Sequence, residues 1–351
     1  MRYNMSNSPF YDGTSLLSRK DLQGRTPELF LTCGNRTSGK TTWFSRFVTK
    51  KFLDGQGQFM VVFRYETEMD NIAQAFFGEI SWLFFEGHTF SSQSMMKGAY
   101  HKLMCDNEVC GYAAALSTCN KLKRYSHLFA GVNRMFMDEF QPEDGRYLKD
   151  EVGKLLSLHT TVARGGGRMV RYVPVYMVSN AVTMLNPYYN VLDIASRLDT
   201  KTKFLRGNGF VLEQNYNENA AAAQKQSLFN QAFSKSHYTD YASQNVYLHD
   251  DAVFIERITE DCDYYATIAY DKKMYGLRRT ESGLMYCSDR PDPKFPFIIS
   301  VTLGDHGTGR VLCQKNSFIL PDLKWYFNQG LFRFRNLECK QAVIKMLSIT
   351  S

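Results

Sequence analysis

Gly34-Asn35-Arg36-Thr37-Ser38-Gly39-Lys40-Thr41 has the spacing G-x-x-x-x-G-K-[ST], and its reading decides the fold. The apolar run Leu29-Phe30-Leu31-Thr32-Cys33 enters it with strand character. Thr42-Trp43-Phe44-Ser45-Arg46-Phe47-Val48 leaves it with apolar residues recurring at helical spacing. A strand, a glycine-bearing turn and a helix start form the context in which such a loop wraps a nucleotide triphosphate. Glycines let the backbone curl so that successive N–H groups face the β- and γ-phosphates. The helix N-terminus adds partial positive charge, Lys40 adds a full one, and the Thr41 hydroxyl is placed to ligate Mg²⁺.

Outward from the loop, the first half alternates strand and helix signals. Phe59-Met60-Val61-Val62-Phe63-Arg64, Ile80-Ser81-Trp82-Leu83-Phe84-Phe85, Met135-Phe136-Met137 and Tyr172–Val178 read as short buried strands separated by longer polar segments. That pattern predicts an α/β fold with a mainly parallel sheet over residues 1–205. From 206 to 250 the composition shifts: Arg206-Gly207-Asn208-Gly209 is loop-like, Glu218 to Gln226 is polar and helix-prone, and 234–244 has no clear period. This stretch reads as a linker or lid. From 251 to 351 the chain is β-rich through Val253-Phe254-Ile255, Tyr264–Tyr270 and Gly283–Cys287, with helical spacing from Leu337 to Leu347. A smaller α+β domain is expected there.

The bulk composition, 14% aromatic and 22% charged, is that of a globular protein. No apolar run approaches the roughly 20 residues of a membrane helix, and Met1-Arg2-Tyr3-Asn4-Met5-Ser6 lacks the apolar stretch of a signal peptide. A cytoplasmic protein is expected. The cysteines at 33, 105, 110, 119, 262, 287, 313 and 339 form no C-x-x-C and no zinc-ligand pattern with histidine, so free thiols are expected. The formal charge of +7 permits a polyanionic partner without demanding one. Seven Lys/Arg against three Asp/Glu in 301–351 fit a solvated face and a nucleic-acid surface equally.

Nucleotide hydrolysis needs a metal-holding acid and a group that activates water. Met135-Phe136-Met137-Asp138-Glu139-Phe140 supplies both: a strand ending in adjacent carboxylates can aim Asp138 at the Mg²⁺ shell and Glu139 at the attacking water. Asn180 ends the next strand signal, where an amide can bond the γ-phosphate or the lytic water; a turn-forming asparagine fits the spacing as well. Arg164 heads the basic glycine run Arg164-Gly165-Gly166-Gly167-Arg168. A guanidinium there can reach across a subunit interface, or the run is a solvated loop; spacing does not decide. Lys121, Lys123 and Arg124 form a basic knot suited to phosphate-backbone contact or to an ordinary exposed face.

These residues resemble the DNA-packaging ATPases of phi29-like bacteriophages. The resemblance rests on the phosphate loop, Met137-Asp138-Glu139-Phe140, Glu151-Val152 with Leu155-Leu156, and Thr161-Val162-Ala163-Arg164. It continues through Ser179-Asn180-Ala181-Val182, Asn186-Pro187-Tyr188, Gly283-Leu284-Met285-Tyr286, and Gly330 with Arg333-Phe334 and Asn336. It implies an additional-strand P-loop ATPase domain, a linker, and a C-terminal domain resembling a ribonuclease-H-fold nuclease without its chemistry. ATP and Mg²⁺ are the implied cofactors. The implied assembly is a homopentameric ring at the portal vertex of an empty procapsid in the host cytoplasm. That ring would drive double-stranded DNA inward while engaging the portal and a packaging RNA. By position, Arg164 resembles the finger completing a neighbour's site, and Asn180 a sensor of nucleotide state. Glu66 stands where a basic residue fits the family pattern, so a second trans-acting cation near Arg64 is not expected.

Nuclease chemistry needs several converging carboxylates. Glu256, Asp271, Asp289 and Asp292 lie mostly in turn-like contexts such as Asp289-Arg290-Pro291-Asp292-Pro293, so no endonuclease activity is expected. The rival readings are a helicase or conjugation-type DNA pump of the same ATPase class, and a capsid-vertex scaffold with a vestigial nucleotide site.

Overall fold

The structure, a computed structural model, describes residues 10–232 and 254–348, apart from 166, 168, 185, 195, 196, 199–201 and 315. The chain divides into two compact units, Met1–Leu192 with Leu198–His249, and Asp193–Arg197 with Asp250–Ser351.

The strands of the first unit are β1 (Leu29–Gly34), β2 (Gln58–Phe63), β3 (Phe90–Met95), β4 (Tyr100–Cys105), β5 (Glu108–Ala115), β6 (Val132–Met137), β7 (Val175–Asn180), β8 (Phe204–Arg206) and β9 (Phe210–Asn215). They form a nine-stranded sheet in the order β3-β4-β5-β2-β6-β7-β1-β9-β8. From β5 to β9 every pairing is parallel. Antiparallel β4 and β3 extend one edge and β8 closes the other. Strand β7 separates β1, which leads into the phosphate loop, from β6, which leads into Asp138. This is the extra strand of an additional-strand ATPase sheet.

Interior parallel strands are covered on both faces, which is why they read as continuous apolar runs rather than alternating ones. On one face Phe59, Val61, Phe136, Tyr176 and Val178 pack with Phe44 and Val48 of the Lys40–Leu53 helix and with Phe76, Phe77 and Ile80. The Phe44 ring stacks on Phe136 with centroids 6.1 Å apart. The alternate residues Leu31, Met60, Met135 and Met177 are buried as well. The phosphate-loop helix is therefore fixed by its apolar side to the strands whose ends it must face.

Two sequence expectations are corrected. Ile80–Phe85 is not a strand: it belongs to the helix Ile72–Phe84, which buries Ile72, Phe76, Phe77 and Ile80. The helical spacing of those four residues outweighs the short apolar run at its end. Nor does the segment 206–250 begin as a linker. Residues 210–215 are β9, paired along its length with β1, so this strand is core of the first sheet. The helix over Glu218–Gln226 forms as expected, and residues 233–250 lie outside the described residues.

The second unit holds β10 (Cys262–Tyr270), β11 (Lys273–Thr280), β12 (Met285–Ser288), β13 (Ile298–Ser300), β14 (Val311–Leu312) and β15 (Phe332–Phe334), in the order β14-β13-β10-β11-β12-β15. Its core sets Ile268, Leu277 and Phe334 of the sheet against Leu323 and Val343 of the helices Leu320–Asn328 and Leu337–Ser348. The run Val253-Phe254-Ile255 contributes no described strand; Ile255 makes an isolated bridge to Phe334. The eight cysteines are free thiols.

Candidate nucleotide-binding and catalytic site

Strand β1 ends at Gly34, whose Cα is paired with Asn180 on β7 and Asn215 on β9. A Cβ at Gly34 would lie 1.8 Å from the Asn215 carbonyl oxygen, so only glycine fits between the strands. Gly39 closes the loop at φ +86°, a backbone state costly to other residues. The chain then enters the helix at Lys40, whose Nζ donates to the Asn35 carbonyl (2.7 Å) and to Ser38 Oγ (2.9 Å). Lys40 is 5% exposed, and burial pulls its ammonium down to about 8 against the stabilising charge of Asp138. A cation held so close to losing its proton is stabilised by any anion delivered to it.

The loop is braced from outside. The Tyr11 N–H donates to the Ser38 carbonyl at 2.8 Å. Asn35 and Asn217 exchange two hydrogen bonds of 3.0 Å, and Gln224 Nε2 donates to Thr37 Oγ1 at 3.1 Å. Arg36 pairs with Glu143.

Asp138 and Glu139 follow β6 directly. The Thr41 hydroxyl donates to the Asp138 carboxylate, and burial nevertheless pushes that carboxyl up to about 6. Glu139 adopts φ +52°, an unfavourable state for a side chain with a Cβ, and its N–H donates to Asp138 Oδ1 at 2.9 Å. Burial and then Glu143 raise the Glu139 carboxyl, while Arg36 and Arg64 pull it down. Lys40, Thr41, Asp138, Glu139 and Asn180 line one cavity of about 620 Å³. The sheet thus brings the phosphate loop, the acidic pair and the end of β7 to one place.

Residues to which the sequence assigned no role in this site hold the arrangement. Arg64, 5% exposed, directs Nε and Nη2 to the two Glu151 carboxylate oxygens at 2.9 Å each. The same guanidinium donates to the carbonyls of Glu139 (3.2 and 3.3 Å) and Phe140 (3.2 Å). Glu151 also accepts from Tyr188 Oη and the Leu148 N–H, both at 2.8 Å. Gln141, 1% exposed, accepts from the N–H groups of Val182 and Thr183, stitching the turn after β6 to the turn after β7. The strained Glu139 backbone is therefore fixed by buried partners. A charged residue capping an apolar strand, as Arg64 caps β2, was the available signal.

The other sequence candidates lie elsewhere. Arg164 follows the Glu151–Ala163 helix, is exposed, and donates to the Lys123 carbonyl; it does not line the cavity. Lys121, Lys123 and Arg124 are exposed on the adjoining helical turns, with Lys121 Nζ 3.7 Å from Glu66. Arg171 is bonded inward, to the carbonyls of Val132 (3.0 Å) and Val162 (2.6 Å). Gly166 and Arg168 lie outside the described residues.

The family model for the Podovirus DNA encapsidation protein (Gp16) matches residues 5–349. The DNA packaging protein of Bacillus phage phi29 is 25% identical over 337 residues, covering 95% of each chain. That of Bacillus phage B103 is 26% identical over 310 residues, covering 86% of this chain and 91% of the other. A chain in the solved bacteriophage phi29 genome packaging motor assembly superposes with a TM-score of 0.71 at 22% identity, covering 98% of this chain and 100% of its own. With a match spanning both units, the chain belongs to the podovirus DNA encapsidation protein (Gp16) family.

Proposed function

We propose that this chain is the ATP-driven motor that moves double-stranded viral DNA into the procapsid during genome packaging. The observation that carries the reading is the convergence of Lys40, Thr41, Asp138 and Glu139 on one cavity. Its relatives are DNA packaging proteins over nearly their whole length, which gives the hydrolysis a purpose.

In this reading residues 34–41 bind the triphosphate, with the loop amides and Lys40 facing its oxygens. Thr41 and Asp138 suit Mg²⁺: both offer hard oxygen ligands, and a cation there would offset the burial that raises the Asp138 carboxyl. Mg²⁺, when bound, neutralises phosphate charge. Glu139 accepts the proton of the water attacking the γ-phosphorus; its raised carboxyl makes it a better base than a fully solvated glutamate. Asn180 lines the same cavity at the end of β7, which supports a hydrogen bond from its amide to the γ-phosphate or that water. Arg164 lies away from its own cavity on an exposed turn, which favours service to a neighbouring subunit's site as an arginine finger.

That role requires a ring of copies, pentameric by the family resemblance, at the portal in the host cytoplasm. Lys121, Lys123 and Arg124 are the proposed DNA-facing cations, and the second unit the proposed contact for portal and packaging RNA. The domain proposal is residues 1–205 for the ATPase with β9 added to it, the remainder of 206–250 as linker, and 251–351 for the C-terminal domain. No nuclease activity is proposed. Glu256 is paired with Arg333 and Asp289 with Arg335. Among the described residues, the one group of three His, Cys, Asp or Glu side chains close enough to share an ion is His88, Cys105 and Asp106, in the first unit.

The test is phosphate release with and without double-stranded DNA. Stimulation by DNA, lost in Lys40→Ala, is expected; DNA-independent turnover unaffected by Lys40→Ala would end the reading. Strand displacement on forked duplexes would favour the helicase alternative, and absence of turnover the scaffold.

A further inference from the structure

The cavity that holds Lys40 and Asp138 also has aromatic side chains in its lining. Phe10, Trp43, Trp82 and Phe84 line it together with Arg46 and Glu79. Trp43 and Arg46 lie on the Lys40–Leu53 helix, and Glu79, Trp82 and Phe84 on the Ile72–Phe84 helix beside it. Thr42 Oγ1 donates to Glu79 Oε2 at 3.2 Å, joining the two helices. The Arg46 guanidinium sits 4.5 Å from the Phe84 ring centroid. Trp43 is packed, stacking on Phe47 at 5.2 Å with planes 10° apart. Trp82 is 69% exposed and Phe10 51%, although both rim a cavity. An exposed tryptophan on a cavity rim beside the polar Glu79 suits a flat, partly apolar group.

We propose that this part of the lining is the base subsite of the nucleotide: Trp82 stacks on a purine, and Glu79 accepts from its exocyclic 6-amino group. The inference rests on the reading of residues 34–41 as the triphosphate cradle. A triphosphate anchored at Lys40 leaves its sugar and base to the rest of the same cavity, whose lining adds Trp43, Trp82 and Phe84 to the donors of the loop. Stacking accepts any base, because every base has a π-face. Selection falls to Glu79, which as a carboxylate only accepts hydrogen bonds and so favours a 6-amino over a 6-oxo purine. Trp82 and Glu79 are thus the residues assigned to recognise the base of the bound ATP.

Equilibrium binding of Mg-ATP, Mg-inosine triphosphate and inorganic tripolyphosphate to the full chain tests this. Trp82→Ala is expected to weaken ATP about tenfold or more while leaving tripolyphosphate unchanged, with Trp82→Phe restoring most of the loss. Glu79→Ala is expected to narrow the preference for ATP over inosine triphosphate. Unchanged ATP affinity in Trp82→Ala, or equal weakening of ATP and tripolyphosphate, overturns the base subsite while leaving the cradle standing. A wild-type chain that binds neither ligand overturns the cradle reading itself.

Discussion

Two arginines of the first unit divide its charge chemistry between them. Arg64 is buried, bonded to both oxygens of Glu151 and to the carbonyls of Glu139 and Phe140. Its role is complete inside one chain: it fixes the backbone that carries Glu139. Arg164 is exposed, holds the Lys123 carbonyl, and stands beside Lys121, Lys123 and Arg124 away from the cavity. Its charge faces outward. The difference teaches that burial and a saturated donor set mark a positioning residue, whereas an exposed guanidinium is available to another molecule.

The comparison breaks most visibly through Arg164→Ala. As a finger acting in trans, its loss is expected to lower turnover by about 10³-fold or more, with thermal stability unchanged within about 0.5 kcal/mol. Mixing this variant with Lys40→Ala is expected to restore some phosphate release. No recovery in mixed assemblies would place Arg164 outside the chemistry.

Glu151→Ala sharpens the opposite case. Removing one partner of a buried pair leaves Arg64 uncompensated, so a loss of about 3–5 kcal/mol is expected in chemical denaturation. A near-neutral result would mean that Arg64 is not an internal strut. Gly34→Ala is expected to cost about 1–3 kcal/mol through the clash with the Asn215 carbonyl, because the strand pair must separate to admit a methyl group.

The smallest effect concerns Asp138. Its carboxyl is raised from 3.8 to about 6 in the folded chain, so the folded state holds the proton more tightly than the unfolded chain does. Ionisation therefore costs stability, fully above about pH 6, and the cost is relieved as pH falls towards 4. Asp138→Asn is expected to raise nucleotide-free stability at neutral pH by about 1–3 kcal/mol, towards the lower value because the carboxyl opens on the cavity, and to flatten that pH dependence. Melting curves across pH 4 to 8 check it; identical slopes for both proteins would contradict it.

Much of this was legible in the sequence. The phosphate loop is a local motif with a strand before it and a helix after it, and Asp138-Glu139 end an apolar run, so both could be read without tertiary knowledge. The Arg64–Glu151 pair could not, because its members lie on different elements and meet only through the order β2-β6-β7. The edge strand β3 and its neighbour β4 escaped because Phe90–Met95 and Tyr100–Cys105 are largely polar or mixed. Strand β9 was hidden by the glycines at 207 and 209, whose turn signal drew the expected boundary through what is the hairpin joining β8 to β9.

The central claim is that Glu139 activates water for a triphosphate held by residues 34–41. ATP binding and single-turnover phosphate release, measured on the same preparation of Glu139→Gln, test it most directly. Retained binding with release slowed about 10²-fold or more is expected; release at the wild-type rate would contradict the claim.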